Sequence, residues 1–172
     1  MARALLVGCG CRGRELGADL LGRGWAVRGT SRRPGGLEAI AKAGIEPARA
    51  DPERPGTVFD LVGDVAVLAW LLGSATGDPG PVEAIHGPRL ESLLEKLVDT
   101  PVRGFVYEAS GSVPDRVLES GARVVGEAAQ RWRIPIAFIR ADANGDREAW
   151  LAEARAAVVS LVASRADPLL SE

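Results

Sequence analysis

Short apolar runs alternate with longer stretches in which apolar residues recur at helical spacing, from one end of the chain to the other. Ala4 to Val7 is a run of strand length, and Leu16, Leu20 and Leu21 follow it at helical period. Trp25 to Gly29 reads as a second strand after the stop residues Gly22 and Gly24. Leu37, Ile40 and Ala41 give one face to a short helix ended by Gly44, Ile45 to Arg49 forms a weaker third strand, and residues 55 to 62 a brief helix. Val65 to Leu72 is the most continuous apolar run and predicts a central strand buried on both faces, as in a parallel sheet. Leu90, Leu93, Leu94 and Leu97 recur at i, i+3, i+4 and i+7, which predicts one helix over 82–98. Val102 to Glu108, Pro114 to Trp132, Ile134 to Arg140 and Arg147 to Ala163 then read as strand, helix, strand and closing helix. This alternation predicts an α/β fold: a single-domain, doubly wound parallel sheet with right-handed crossovers and strand order 3-2-1-4-5-6. The domain is expected over residues 1–165, with a tail over 166–172.

Between the first strand and the first helix, Gly8, Gly10 and Gly13 stand in G-x-G-x-x-G spacing. Glycine is 21 of 172 residues, so chance alone gives that spacing roughly 0.3 times in such a chain. Context adds the weight. The motif follows an apolar run, opens an amphipathic helix and precedes a second strand, within a unit of the ~30 residues that a dinucleotide-binding Rossmann turn occupies. In such a turn Gly8 allows the tight bend, Gly10 lets the backbone approach a pyrophosphate, and Gly13 lets helix and strand pack closely. Cys11 and Arg12 belong to the same phosphate-facing turn, where free helix amides meet the ligand.

The second strand runs into Thr30, Ser31, Arg32 and Arg33 with no carboxylate. A carboxylate there bonds the ribose 2′-hydroxyl of NAD, whereas a cation accommodates the 2′-phosphate of NADP. The two arginines precede a helix starting near Pro34, where the helix dipole disfavours cations unless an anion is present. Ser31, Arg32 and Arg33 are therefore candidate cofactor contacts, with NADP expected over NAD.

The composition is 47% hydrophobic and 26% charged, with a formal net charge of −2. That balance gives no general attraction to nucleic acid or to membrane phosphate, and no apolar run approaches the roughly 18 residues that a membrane span needs. No nucleic-acid or membrane partner is expected, and a cytoplasmic location is the default. Cys9 and Cys11 are the only cysteines and read as compact filler in the glycine turn, so no metal site is expected. The single histidine, His86, reads as a surface or partly packed side chain.

The glycine turn, Asp51 after the third strand, the long fourth strand ending in Ala69, and Phe105-Val106-Tyr107-Glu108-Ala109-Ser110-Gly111-Ser112-Val113 together resemble the extended and atypical short-chain dehydrogenase/reductases, a family of NAD(P)-binding Rossmann proteins. The resemblance implies that Asp51 contacts adenine, that Ala69 and Trp70 lie beside the cofactor, and that Ser110 helps to polarise a substrate carbonyl. It also implies a dimer built on the helices before and after the fifth strand. The chain departs from the family's Tyr-x-x-x-Lys pair: with Glu127 in register, Glu119 stands at the tyrosine and Arg123 at the lysine. Four residues apart on one helix, these two are expected to form an ion pair. Two functional readings stay open, a small NADP-dependent oxidoreductase acting on a small-molecule substrate and a noncatalytic NADP(H)-sensing protein.

Overall fold

The computed structural model describes residues 1–163, and the expected tail over 166–172 lies outside them. Six parallel strands, β1 (Arg3–Val7), β2 (Ala26–Ser31), β3 (Glu46–Arg49), β4 (Val67–Trp70), β5 (Gly104–Glu108) and β6 (Ile136–Ile139), form one sheet in the order β3-β2-β1-β4-β5-β6. The predicted order is the observed one. Its reversal lies between β1 and β4, and a crevice at the carboxyl ends of the strands opens there.

Helices α1 (Cys11–Gly22), α2 (Pro34–Lys42) and α7 (Arg147–Ala163) cover one face of the sheet, while α3 (Pro55–Phe59), α4 (Pro79–Ile85), α5 (Pro88–Lys96) and α6 (Asp115–Trp132) cover the other. The period of two along the strands decides which core each residue joins. Ala4 and Leu6 of β1, Val67 and Ala69 of β4, and Val106 of β5 pack under α1, α2 and α7; Leu5, Val7, Leu68, Trp70, Phe105 and Tyr107 pack under the other four helices. All eleven are fully buried, which is why these strands read as unbroken apolar runs.

One predicted element is corrected. The helix expected over 82–98 is two helices, broken at His86-Gly87-Pro88. Pro88 has no amide hydrogen to donate and restricts the residue before it, so it serves as the first residue of α5. The leucine pattern belongs to α5 and to the 3-10 turn Leu97–Asp99, and leucines 90, 93, 94 and 97 are all buried. The break also carries His86 inward. It is 1% exposed rather than at the surface, with Nε2 at 2.9 Å from the Leu72 carbonyl and Nδ1 at 2.7 Å from the Tyr107 hydroxyl. Because a carbonyl only accepts, Nε2 carries the proton and Tyr107 donates to Nδ1.

Candidate functional site

The site begins at Gly8, whose φ of +80° takes the chain from β1 into the turn. A Cβ there would lie 2.7 Å from the Leu71 carbonyl oxygen, so both conformation and space require glycine. Cys9 then turns inward, and its Sγ fills the gap left by Gly29, where an added Cβ would come within 2.8 Å of the sulfur. At Gly10 an added Cβ meets nothing within 4 Å. No side chain caps α1, so the first-turn amides of Cys11, Arg12 and Gly13 face open space with the positive end of the helix dipole.

That open space is a cavity of about 640 Å³ at the carboxyl edge of the sheet. The glycine turn forms one wall; Ser31, Arg32, Arg33 and Gly36 extend it; Leu71 and Leu72, at the end of β4, form the floor. Loops lying far away in sequence close it. The Arg12 Nε donates to the Ala143 carbonyl at 2.8 Å, and Arg147 pairs with Glu15 of α1, so the β6–α7 connection is tied across the mouth.

Glu108 lines the inner end of the cavity and is 4% exposed. Its Oε1 accepts the Gly73 amide at 2.8 Å and its Oε2 accepts the Trp150 Nε1 proton at 2.9 Å. Burial raises its carboxyl above the usual carboxylate range, opposed by those two hydrogen bonds and reinforced by the nearby charge of Asp142.

At the other end, Arg32 pairs with Glu53 at 3.2 Å. Beside it lie two smaller spaces: an apolar slot including Pro52, Leu72, Ala75, Val82 and Ile85, and a cavity of about 310 Å³ lined by Arg49, Asp51, Arg54 and Thr57 as well as Arg32.

No protein-family model matches the chain, and no curated protein matches it in sequence. Solved structures do match. UDP-glucuronic acid 4-epimerase from Bacillus cereus in complex with NAD superposes with a TM-score of 0.66 at 17% identity, over 81% of this chain and 56% of the epimerase. A short-chain dehydrogenase/reductase superfamily protein from Agrobacterium tumefaciens with bound NAD gives 0.65 at 20% identity, over 80% and 48%. Triphenylmethane reductase from Citrobacter sp., complexed with NADP(H), gives 0.59 at 17% identity, again over 80% and 48%. The fold is the Rossmann fold. The chain spans about half the length of these Rossmann proteins.

In this Rossmann frame, Gly8, Gly10, Cys11, Arg12, Gly13, Ser31, Arg32 and Arg33 converge on the large cavity. Asp51 does not line it but borders the two smaller spaces, and its Oδ1 accepts the Glu53 amide at 3.0 Å. Ala69 and Trp70 lie inside β4, both at 0% exposure, and Trp70 gives its Nε1 proton to the Ile85 carbonyl; the lining comes from the next two residues. Ser110 turns its hydroxyl away to the Ala141 carbonyl at 2.7 Å. Glu119, Arg123 and Glu127 are exposed on α6, and the ion pair expected between Glu119 and Arg123 is absent among the described residues. An exposed pair at this spacing is worth only a few tenths of a kcal/mol, about what ordering two long side chains costs.

Sequence reasoning missed Glu108, Asn144, Arg147 and Trp150 as lining residues. Glu108 carried one usable signal, a carboxylate ending an otherwise apolar strand.

Proposed function

We propose that the protein binds a nicotinamide dinucleotide, NADP(H) in preference to NAD(H), and works as a small oxidoreductase without a Tyr/Lys pair. The observation that carries this reading is the open, uncapped head of α1 at Gly10, facing a cavity long enough to be shared by the glycine turn, Arg32 and Glu108. The amides of Cys11, Arg12 and Gly13 would hold the pyrophosphate. An adenine ring would lie in the large cavity towards Leu72 and Ala75, and Arg32 and Arg33, which line the same cavity, would receive a 2′-phosphate. A bound dinucleotide would supply hydride chemistry; the chain's own contribution is to bind it, exclude water and shape the substrate's place between Glu108 and the β6–α7 connection.

The noncatalytic sensing role is the second reading. It is favoured by the hydrogen bonds that already occupy Glu108 and Ser110, and by the exposure of Glu119 and Arg123 away from the cavity. Calorimetric titration tests the shared part: NADP is expected to bind more tightly than NAD, and Arg32→Ala with Arg33→Ala to weaken NADP by roughly ten- to a hundredfold while leaving NAD nearly unchanged. Equal affinity for the two nucleotides would remove the 2′-phosphate assignment. Saturable NADPH turnover against quinones, flavins or small carbonyls then supports the oxidoreductase, and binding without turnover the sensor.

A further inference from the structure

Among the described residues, Arg32 alone lines all three spaces: the large cavity, the apolar slot and the 310 Å³ cavity. Its guanidinium is not free, because Glu53 holds it at 3.2 Å. Glu53 is aimed there by a turn that is bonded to itself. The Asp51 Oδ1 accepts the Glu53 amide at 3.0 Å, the Thr57 hydroxyl accepts the Asp51 amide at 2.9 Å and donates towards the Asp51 and Arg54 carbonyls, and the Arg54 amide donates to the Asp51 carbonyl at 2.9 Å. The same turn points Arg54 into the 310 Å³ cavity, where Arg49 at the end of β3 joins it. Neither the Arg49 nor the Arg54 guanidinium has an ion-pair or hydrogen-bond partner among the described residues.

We infer that Glu53 is an internal competitor for the anion that Arg32 receives, and that Arg49 and Arg54 are further cationic ligands for it, so that the β3–α3 turn sets how strongly a 2′-phosphorylated adenosine is preferred over its 2′-hydroxyl counterpart. Three arginines and Asp51 border the 310 Å³ cavity, and Glu53, paired with Arg32, lines the slot beside it. A phosphate monoester entering the cavity displaces Glu53 from Arg32 and gains two cations that no carboxylate holds. A 2′-hydroxyl does neither, and leaves the Arg32–Glu53 pair in place. The turn thus works against the 2′-phosphate through one residue and for it through two. This inference rests on the dinucleotide reading above.

The test uses two fragments as probes, 2′,5′-ADP and 5′-AMP, titrated calorimetrically into the full chain and its variants. Glu53→Gln is expected to tighten 2′,5′-ADP by roughly two- to fivefold, the scale of one exposed ion pair, and Arg49→Ala with Arg54→Ala to weaken it by on the order of tenfold. Neither change should move 5′-AMP by more than about twofold. Affinity of 2′,5′-ADP unchanged in both variants, with both probes binding the wild type, overturns the inference and leaves the dinucleotide site standing. Failure of the wild type to bind either probe overturns the dinucleotide reading and the inference with it. Thermal melts of each variant show whether folding has been kept.

Discussion

Cys9 and Cys11 are neighbours in sequence and opposites in chemistry. Burial against Gly29 and Gly13 pushes the Cys9 thiol up to about 12, despite the opposing charge of Arg14, while Cys11 is exposed at the cavity wall. Near neutral pH an alkylating reagent should therefore modify Cys11 and spare Cys9 in the folded protein, and modify both in denaturant, as read by intact mass. Saturating NADP should slow the Cys11 reaction. Equal labelling of both thiols in the native state would show that the glycine turn is open to solvent on its inner side. The turn was legible in the sequence because three glycines at fixed spacing report a local backbone geometry. The inner end of the cavity was not, since Glu108 acts through Gly73 and Trp150, 35 and 42 residues away, and no local pattern encodes such partners.

Among the elements, the α4–α5 break places a titratable side chain in the core. His86 satisfies both the Leu72 carbonyl and the Tyr107 hydroxyl inside the core, and burial lowers its pKa below the usual 6.5, opposed by the bond to Leu72. The unfolded chain then takes up a proton near pH 6.5 that the folded chain refuses until lower pH. His86 thus contributes stability that is fully present above pH 6.5 and lost as the pH falls through its folded value. Glu108 has the opposite sign: its raised carboxyl favours the fold below pH 4.5, and that contribution is lost as the pH rises through its folded value. Urea denaturation across the weakly acidic range should show a loss of stability on acidification that His86→Gln abolishes, and His86→Ala should cost about 2–4 kcal/mol above pH 6.5 and less as the pH falls. Periodicity revealed the leucines of α5 and missed the break, because Pro88 leaves the apolar spacing intact while changing the direction of the chain.

At the scale of the whole molecule, the strand order was readable because buried parallel strands are unbroken apolar runs and each crossover has one hand. Assembly was harder to read. The helices expected to form a dimer, α5 and α6, bury Leu90, Leu93, Leu94, Val117, Leu118, Val125 and Ala128 within the monomer, as does the following turn with Leu97. Val98 is exposed, with Val124 and Ala129 only partly so. A stable protein–protein interface buries about 800 Å² on each partner, far more than those three side chains supply. A homodimer on these helices would therefore need their exposed polar side chains as well; light scattering across a micromolar concentration series tests it, with a dimeric mass supporting that assembly and a monomeric mass removing it. The β6–α7 connection carries a different consequence. Arg12 grips Ala143, and Glu108 holds both Gly73 and Trp150, before any ligand arrives. The segments around the cavity therefore lose their conformational freedom when the chain folds, and a ligand entering it has little disorder left to remove.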